Sequence, residues 1–130
     1  MSLDLVALRD CFEGVIPGSI ATLGADGMPN ISYLSQVFYV DARHVALSNQ
    51  FFSKTADNMR RSGRATAMVV DGRTGAQYVL DLAYARSLTD GELFARMSAH
   101  LKAISGQHGF DGVMRLASAE VYEVSAIHPV

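Results

Sequence analysis

Cysteine occurs once, at Cys11, so an internal disulfide framework is excluded and a reducing compartment fits. No apolar run approaches the roughly 20 residues that a membrane-spanning helix needs, and Asp4, Arg9, Asp10 and Glu13 interrupt the start of the chain. That start also lacks the basic region, apolar stretch and small-residue cleavage site of a signal peptide, so the expected location is the cytoplasm. Charge of one sign is not in excess. A net charge of −2 excludes the broadly basic surface of a general nucleic-acid binder and leaves the binding of a small anion open. There is no Cys/His pair and no His-Glu-x-x-His helix. His44 begins a predicted strand, His100 lies on a predicted helix, His108 in its exit loop and His128 near the end of the chain, so no metal site is expected. No serine occupies a nucleophile elbow, and Cys11 reads as a small apolar contact on an amphipathic helix. Asp57, Asp71, Asp81 and Asp111 fall in unrelated turn, cap or solvated settings. If the protein is an enzyme, a bound cofactor carries the chemistry and the chain supplies binding and orientation.

What is present is core-forming material. With 49% hydrophobic and 18% charged residues over 130 positions, the chain reads as one domain, residues 1–130, large enough to bury roughly two-thirds of its unfolded surface. Ser2 is placed to cap a first helix over residues 3–13, whose Leu5, Leu8 and Phe12 recur at helical spacing before Gly14 and Pro17. Ile20 to Leu23, an Asp26-Gly27 reversal and Asn30 to Val40 predict a strand, tight turn and strand. His44 to Asn49 follows as a third strand after the Asp41-Ala42-Arg43 turn. Beyond a short basic helix, Arg64 to Val70 and Ala76 to Arg86 read as strands joined by the 71–75 turn. Thr89-Asp90-Gly91-Glu92 has the capping-box pattern, and Leu93, Met97, Leu101 and Ile104 lie along one helix face as core. Leu116 to Val124 completes the β-segments with apolar positions on both faces. Six β-segments with helices after the third and fifth predict a small α+β barrel, an antiparallel sheet closed or nearly closed upon itself.

The stretch from Leu47 to Arg61 carries the functional signal, because a strand-like run meets a hydroxyl-rich turn and then a basic helix. Free N–H groups at a helix start attract anions, and Ser53, Lys54 and Thr55 would add two hydroxyls and an ammonium there. A helix terminus alone supplies only about 0.3–1 kcal/mol, so Lys54 and its neighbours would provide much of any affinity for a phosphate. The alternative stays open from this segment alone: Ser53 or Thr55 caps the helix, and Lys54 and the arginines are solvated.

Three motifs in order carry a resemblance. The first is the hairpin Ile20-Ala21-Thr22-Leu23-Gly24-Ala25-Asp26-Gly27-Met28-Pro29-Asn30-Ile31-Ser32. The second is Ala46-Leu47-Ser48-Asn49 followed by Phe52-Ser53-Lys54-Thr55-Ala56-Asp57-Asn58-Met59, and the third is Gln77-Tyr78-Val79-Leu80. Together they resemble the pyridoxamine 5′-phosphate oxidase-like flavin-binding split-barrel family over nearly the whole chain. The resemblance implies an α+β fold, an antiparallel six-stranded split β-barrel with flanking helices. It implies flavin mononucleotide (FMN) as cofactor, with Ser53 and Lys54 on the phosphate, Thr55 as a further hydroxyl donor, and Ser48 and Asn49 along the ring or ribityl chain. Ser32, Tyr33, Leu34 and Ser35 would form the opposite wall, and Gln77 would reach the cofactor across a homodimer interface. Arg60, Arg61 and Arg64 would steer the anion or lie solvated, and Phe51 and Phe52 would pack the barrel or dimer core. The family's pyridoxamine phosphate oxidases carry a further C-terminal substrate-binding segment that this sequence does not show, and the chain has no Trp. Vitamin B6 oxidation is therefore not the expectation. The expected function is an FMN-dependent oxidoreductase moving a hydride or electrons between a donor such as NADH or NADPH and a small organic substrate. The alternatives are a noncatalytic flavin-binding sensor or storage module, or a haem- or deazaflavin-binding protein.

Overall fold

The computed structural model describes residues 4–13, 16–34, 36–49, 53–107 and 116–130. A 3-10 helix, Leu5–Phe12, precedes strands β1 (Gly18–Leu23), β2 (Pro29–Leu34), β3 (Val37–Tyr39) and β4 (His44–Asn49). Helix α1 (Ser53–Ser62) leads to β5 (Arg64–Val70) and β6 (Gln77–Leu88), and helix α2 (Gly91–Gln107) precedes β7 (Ser118–Pro129).

The first helix differs from the expected α-helix. Leu5, Leu8 and Cys11 are all buried and stand three residues apart, the repeat of a 3-10 helix rather than an α-helix. Ser2 lies outside the described residues. Asp4 is the cap, its Oδ1 accepting from the Ala7 N–H at 3.1 Å.

The strands form one antiparallel sheet in the order β2-β1-β5-β6-β7-β4-β3. The tight turn between β1 and β2 works through Gly27, whose φ of 83° suits a residue without Cβ, while Asp26 Oδ1 accepts from the Met28 N–H at 3.1 Å. The expected strand from Asn30 to Val40 is two strands, because its halves serve different partners. β2 pairs with β1, and β3 pairs with β4. Gln36 stands at the break, its Nε2 donating to the Phe12 carbonyl at 2.7 Å and its Oε1 accepting from His100 Nε2 at 2.7 Å. β2 and β3 are thus the outermost strands of the sheet, yet Leu34 and Val37 are separated by three Cα steps, no more than about 11 Å. The sheet must therefore curl until its edges approach, which makes a split barrel with one strand more than expected. Register shifts between Asp81 and Leu82 and between Tyr84 and Arg86 bend the long β6–β7 pair.

Two cores result. Ile20, Val45, Leu47, Val69, Leu80, Leu82 and Tyr122 fill the barrel with Leu5, Leu8, Phe12 and Met59 closing over it. Met97 and Leu101 of α2 cover Ala46, Ala119 and Val121 on the opposite face of β4 and β7, together with Leu116 just before β7, as the apolar faces of these elements predict. β7 needs apolar residues on both faces because one faces the barrel and the other faces α2. Ile104 is not among the side chains described.

Candidate functional site

Helix α1 joins the end of β4 to the start of β5, and its burial pattern divides it lengthwise. Thr55, Ala56, Asn58 and Met59 are buried, whereas Lys54, Asp57, Arg60 and Arg61 are exposed. Ala56 and Met59 suit the core; Thr55 and Asn58 bring polar groups into it and need partners there. The β1–β2 hairpin provides them. Asn30 Nδ2 donates to Thr55 Oγ1 at 2.9 Å, and Ser32 Oγ lies 3.0 Å from the same oxygen. Asn58 Nδ2 donates to Thr22 Oγ1 at 3.1 Å, and the Arg61 guanidinium donates to the Leu23 carbonyl. These inward positions follow from the register, in which Thr22 faces Asn30 and Ile20 faces Ser32. α1 is consequently tied along its length to the hairpin, and Lys54 is displayed to solvent at its first turn.

The structure brings Ser32 to Thr55, at the inner side of β2 and the first turn of α1, and the exposed Lys54 precedes Thr55 on that turn. Ser53 begins that helix, Asn49 ends β4 and Leu34 ends β2. Ser48 is buried on the face of β4 that carries Ala46, paired with Ala119 on the α2 side. Tyr33 alternates to the outward face and is 85% exposed, so it shares no wall with Ser32. Gln77 is exposed and pairs with Val70 at the far end of β5, about 20 Å along the strand from the end of α1. Ser35, Phe51 and Phe52 lie outside the described residues. Arg60 and Arg64 are exposed.

Several polar residues of this region lie within the three motifs or beyond them without an expected role. Thr22, Asn30 and Asn58 belong to the hairpin clamp, and only the coincidence of two polar positions, Thr55 and Asn58, with the apolar side of α1 marks them. Glu120 is 1% exposed inside the barrel, where its Oε1 accepts from Ser118 Oγ at 2.8 Å and Ser87 Oγ at 3.2 Å. Tyr84 and Tyr122 pack edge to face beside it, with ring centroids 5.7 Å apart, and the Tyr122 hydroxyl donates to Met59 Sδ. Burial, reinforced by the Glu120 carboxylate, raises both phenols above their ordinary range, so they remain neutral donors.

On the outward sheet face an open cavity of about 610 Å³ lies among Leu23, Arg64, Thr66, Asp81, Ala83 and Ser125. His128 Nε2 sits 2.8 Å from Asp81 Oδ2 at its edge. This cavity is on the opposite side of the sheet from the Ser32–Thr55 contact, and Ile31 and Tyr33 extend the same face as exposed apolar side chains. Among the described residues no group of three or more His, Cys, Asp or Glu side chains converges as a metal site. His44 Nδ1 is 2.9 Å from Asp41 Oδ1, and His108 lies outside the described residues. Nor does any described helix have the length and apolarity to cross a membrane.

The family model described as pyridoxamine 5′-phosphate oxidase matches residues 6–127. No curated protein matches the sequence. Among solved structures, an FMN-binding protein from Syntrophomonas wolfei superposes with a TM-score of 0.75 at 18% identity, covering 97% of this chain and 90% of that one. An F420 reductase gives 0.67 at 13% identity, covering 92% and 94%. HutZ, the haem storage protein of Vibrio cholerae, gives 0.65 at 14% identity, covering 99% and 95%.

Proposed function

The chain belongs to the pyridoxamine 5′-phosphate oxidase-like FMN-binding split-barrel family, and from that premise we propose that it binds FMN at the first turn of α1 and works as a flavin-dependent oxidoreductase. The observation that carries this reading is the donor set. The exposed Lys54 ammonium and the N–H groups of the helix start share the first turn of α1, to which Thr55 ties the Ser32 hydroxyl, and groups of these types suit phosphate oxygens. Bound there, FMN supplies the ring that accepts and returns a hydride or electrons between a reduced nicotinamide donor and a small organic acceptor. Lys54 would neutralise the phosphate, and backbone groups at the end of β4 would hydrogen-bond the cofactor. No side-chain acid or base is assigned.

The proposal extends to a homodimer. The outward face exposes Leu23, Ile31 and Tyr33 at 51%, 74% and 85%, enough contiguous apolar surface to favour a cover. Gln77 pairs with Val70, at the end of β5 away from α1, and in the proposed homodimer a second copy would bring its Gln77 side chain to the cofactor. Light scattering of the FMN-loaded protein is expected to give twice the chain mass; monomer alone would remove this part of the proposal.

Lys54→Ala is expected to weaken FMN binding about tenfold or more in a titration at fixed salt, in line with loss of one charge-assisted bond. Unchanged affinity would refute the phosphate assignment. A second reading, haem binding or storage, rests on the fold shared with HutZ. His44 is held through Nδ1 by Asp41 and His100 through Nε2 by Gln36, so an iron would have to take the other ring nitrogen of either. The visible spectrum of the purified protein, with identification of the released cofactor, separates the readings: FMN favours the first and haem the second.

A further inference from the structure

We infer that Thr55 and Asn30 are positioning residues, which reach the phosphate-bearing ligand only by fixing the Ser32 hydroxyl beside it; this rests on the FMN site proposed above. Thr55 is 2% exposed, so its side chain is closed off from a ligand outside the helix. Its hydroxyl has one proton and two lone pairs. Asn30 Nδ2 occupies one lone pair at 2.9 Å, and Ser32 Oγ lies within hydrogen-bond distance at 3.0 Å. Nothing in that arrangement is a helix cap, because the hydroxyl reaches across to β2 rather than to an N–H of its own first turn.

The consequence falls on Ser32. A serine side chain on a strand samples several rotamers, and a ligand that needs one of them must select it. Here Thr55 selects it beforehand, and Asn30, two residues away on the same face of β2, fixes the Thr55 rotamer in turn. Ser32 is only partly buried and keeps hydrogen-bonding capacity beyond its contact with Thr55, which a ligand at the first turn of α1 would use. Thr55 also adjoins Lys54 in sequence, so the same contact anchors the backbone from which that ammonium extends. Preorganisation of this kind lowers the ordering cost of binding without any ligand contact by the residues responsible.

The test is a set of FMN titrations followed by flavin fluorescence, with the stability of each apoprotein measured by urea unfolding. Thr55→Val keeps the shape and removes the hydroxyl; it is expected to raise the FMN Kd about 5–10-fold, the worth of one ordinary hydrogen bond. Thr55→Ser restores the hydroxyl and is expected to return Kd to within about twofold of wild type, which a packing role for the Thr55 methyl would not produce. Ser32→Ala is expected to weaken binding by a similar factor, and Thr55→Val is expected to add little in the Ser32→Ala background. Unchanged affinity in a folded Thr55→Val protein overturns the inference, as does full additivity of the two losses. Should Thr55→Val fail to fold, Asn30→Ala combined with Ser32→Ala gives the same reading: non-additive losses support it and additive ones overturn it. A wild-type protein that binds no FMN overturns the site itself and this inference with it, an outcome distinct from a Thr55→Val protein that binds normally.

Discussion

Asn58→Ala tests whether polar groups clamp α1 to the barrel. Asn58 and Thr22 are 6% and 5% exposed, and Asn58 Nδ2 donates to Thr22 Oγ1 at 3.1 Å. Truncating Asn58 removes that bond and leaves the Thr22 hydroxyl in a site closed to water, a loss of about 1–3 kcal/mol. Alanine is the better helix former by about 0.5 kcal/mol, which offsets part of it. The expected net destabilisation is about 0.5–2.5 kcal/mol, against the roughly 5–15 kcal/mol by which a domain is stable. For a chain of this size that corresponds to a fall in Tm of about 2–9 °C. Urea unfolding should show a lower midpoint at unchanged m-value. Thr22→Val should cost a similar amount, because it strands the Asn58 amide instead. The pair Asn58→Leu with Thr22→Val removes both polar groups at once and should cost less than the sum of the single changes by at least about 0.5 kcal/mol. A loss below about 0.5 kcal/mol for Asn58→Ala, or strict additivity in the pair, would refute the reasoning.

Other expectations follow from single contacts. A Cβ on Gly18 would lie 2.8 Å from the Met68 carbonyl oxygen of the paired strand, which has no side-chain freedom to yield, so Gly18→Ala should destabilise by about 1–3 kcal/mol in urea. Burial, with Asp71 and Asp10 adding to it, pushes the Cys11 thiol up to about 11 from its ordinary 9.0. Since the folded value is raised, this contribution is complete below pH 9.0 and is lost as pH rises through about 11; unfolding midpoints across that window should fall less in Cys11→Ala than in wild type. Tyr122→Phe should cost less than about 1 kcal/mol, because the hydroxyl it removes bonds only a weak sulfur acceptor, whereas Met59→Ala should cost about 2–5 kcal/mol through the cavity it opens. Thermal and urea unfolding of both variants measure the contrast.

The strands were legible where a β-rich run is bounded by turns. His44–Asn49 and Arg64–Val70 fall where their sequences place them, since each lies between clear turn signals. The break between β2 and β3 was hidden because both halves are strand-like and only their partners differ, a property of tertiary pairing. The first helix was legible as an apolar segment but not as a 3-10 helix; spacing of three at Leu5, Leu8 and Cys11 distinguishes it, and Phe12 obscures that spacing. In the candidate site, the motif around Lys54 marked the right region. It did not separate Lys54, which faces solvent, from Thr55, which faces the hairpin, because the side of α1 that turns inward depends on what β2 offers it. Tyr33 and Ser32 are neighbours in sequence and lie on opposite faces, as the two-residue period of a strand requires.

The curled order of the sheet also sets a timetable for synthesis. β4 is complete at Asn49, but its inner neighbour β7 begins only at Ser118. At ordinary translation rates of about 5–20 residues per second, β4 waits about 3–14 s with that edge unpaired. β1 and β2 can meet almost at once, and β5 can join them early, so the nascent chain passes through a period with one half of the barrel formed and the other half lacking its partner strand. Emergence of the last strand is the event that seals the barrel, and ribosome-bound chains stopped before residue 118 should expose β4 to proteases that the finished protein resists.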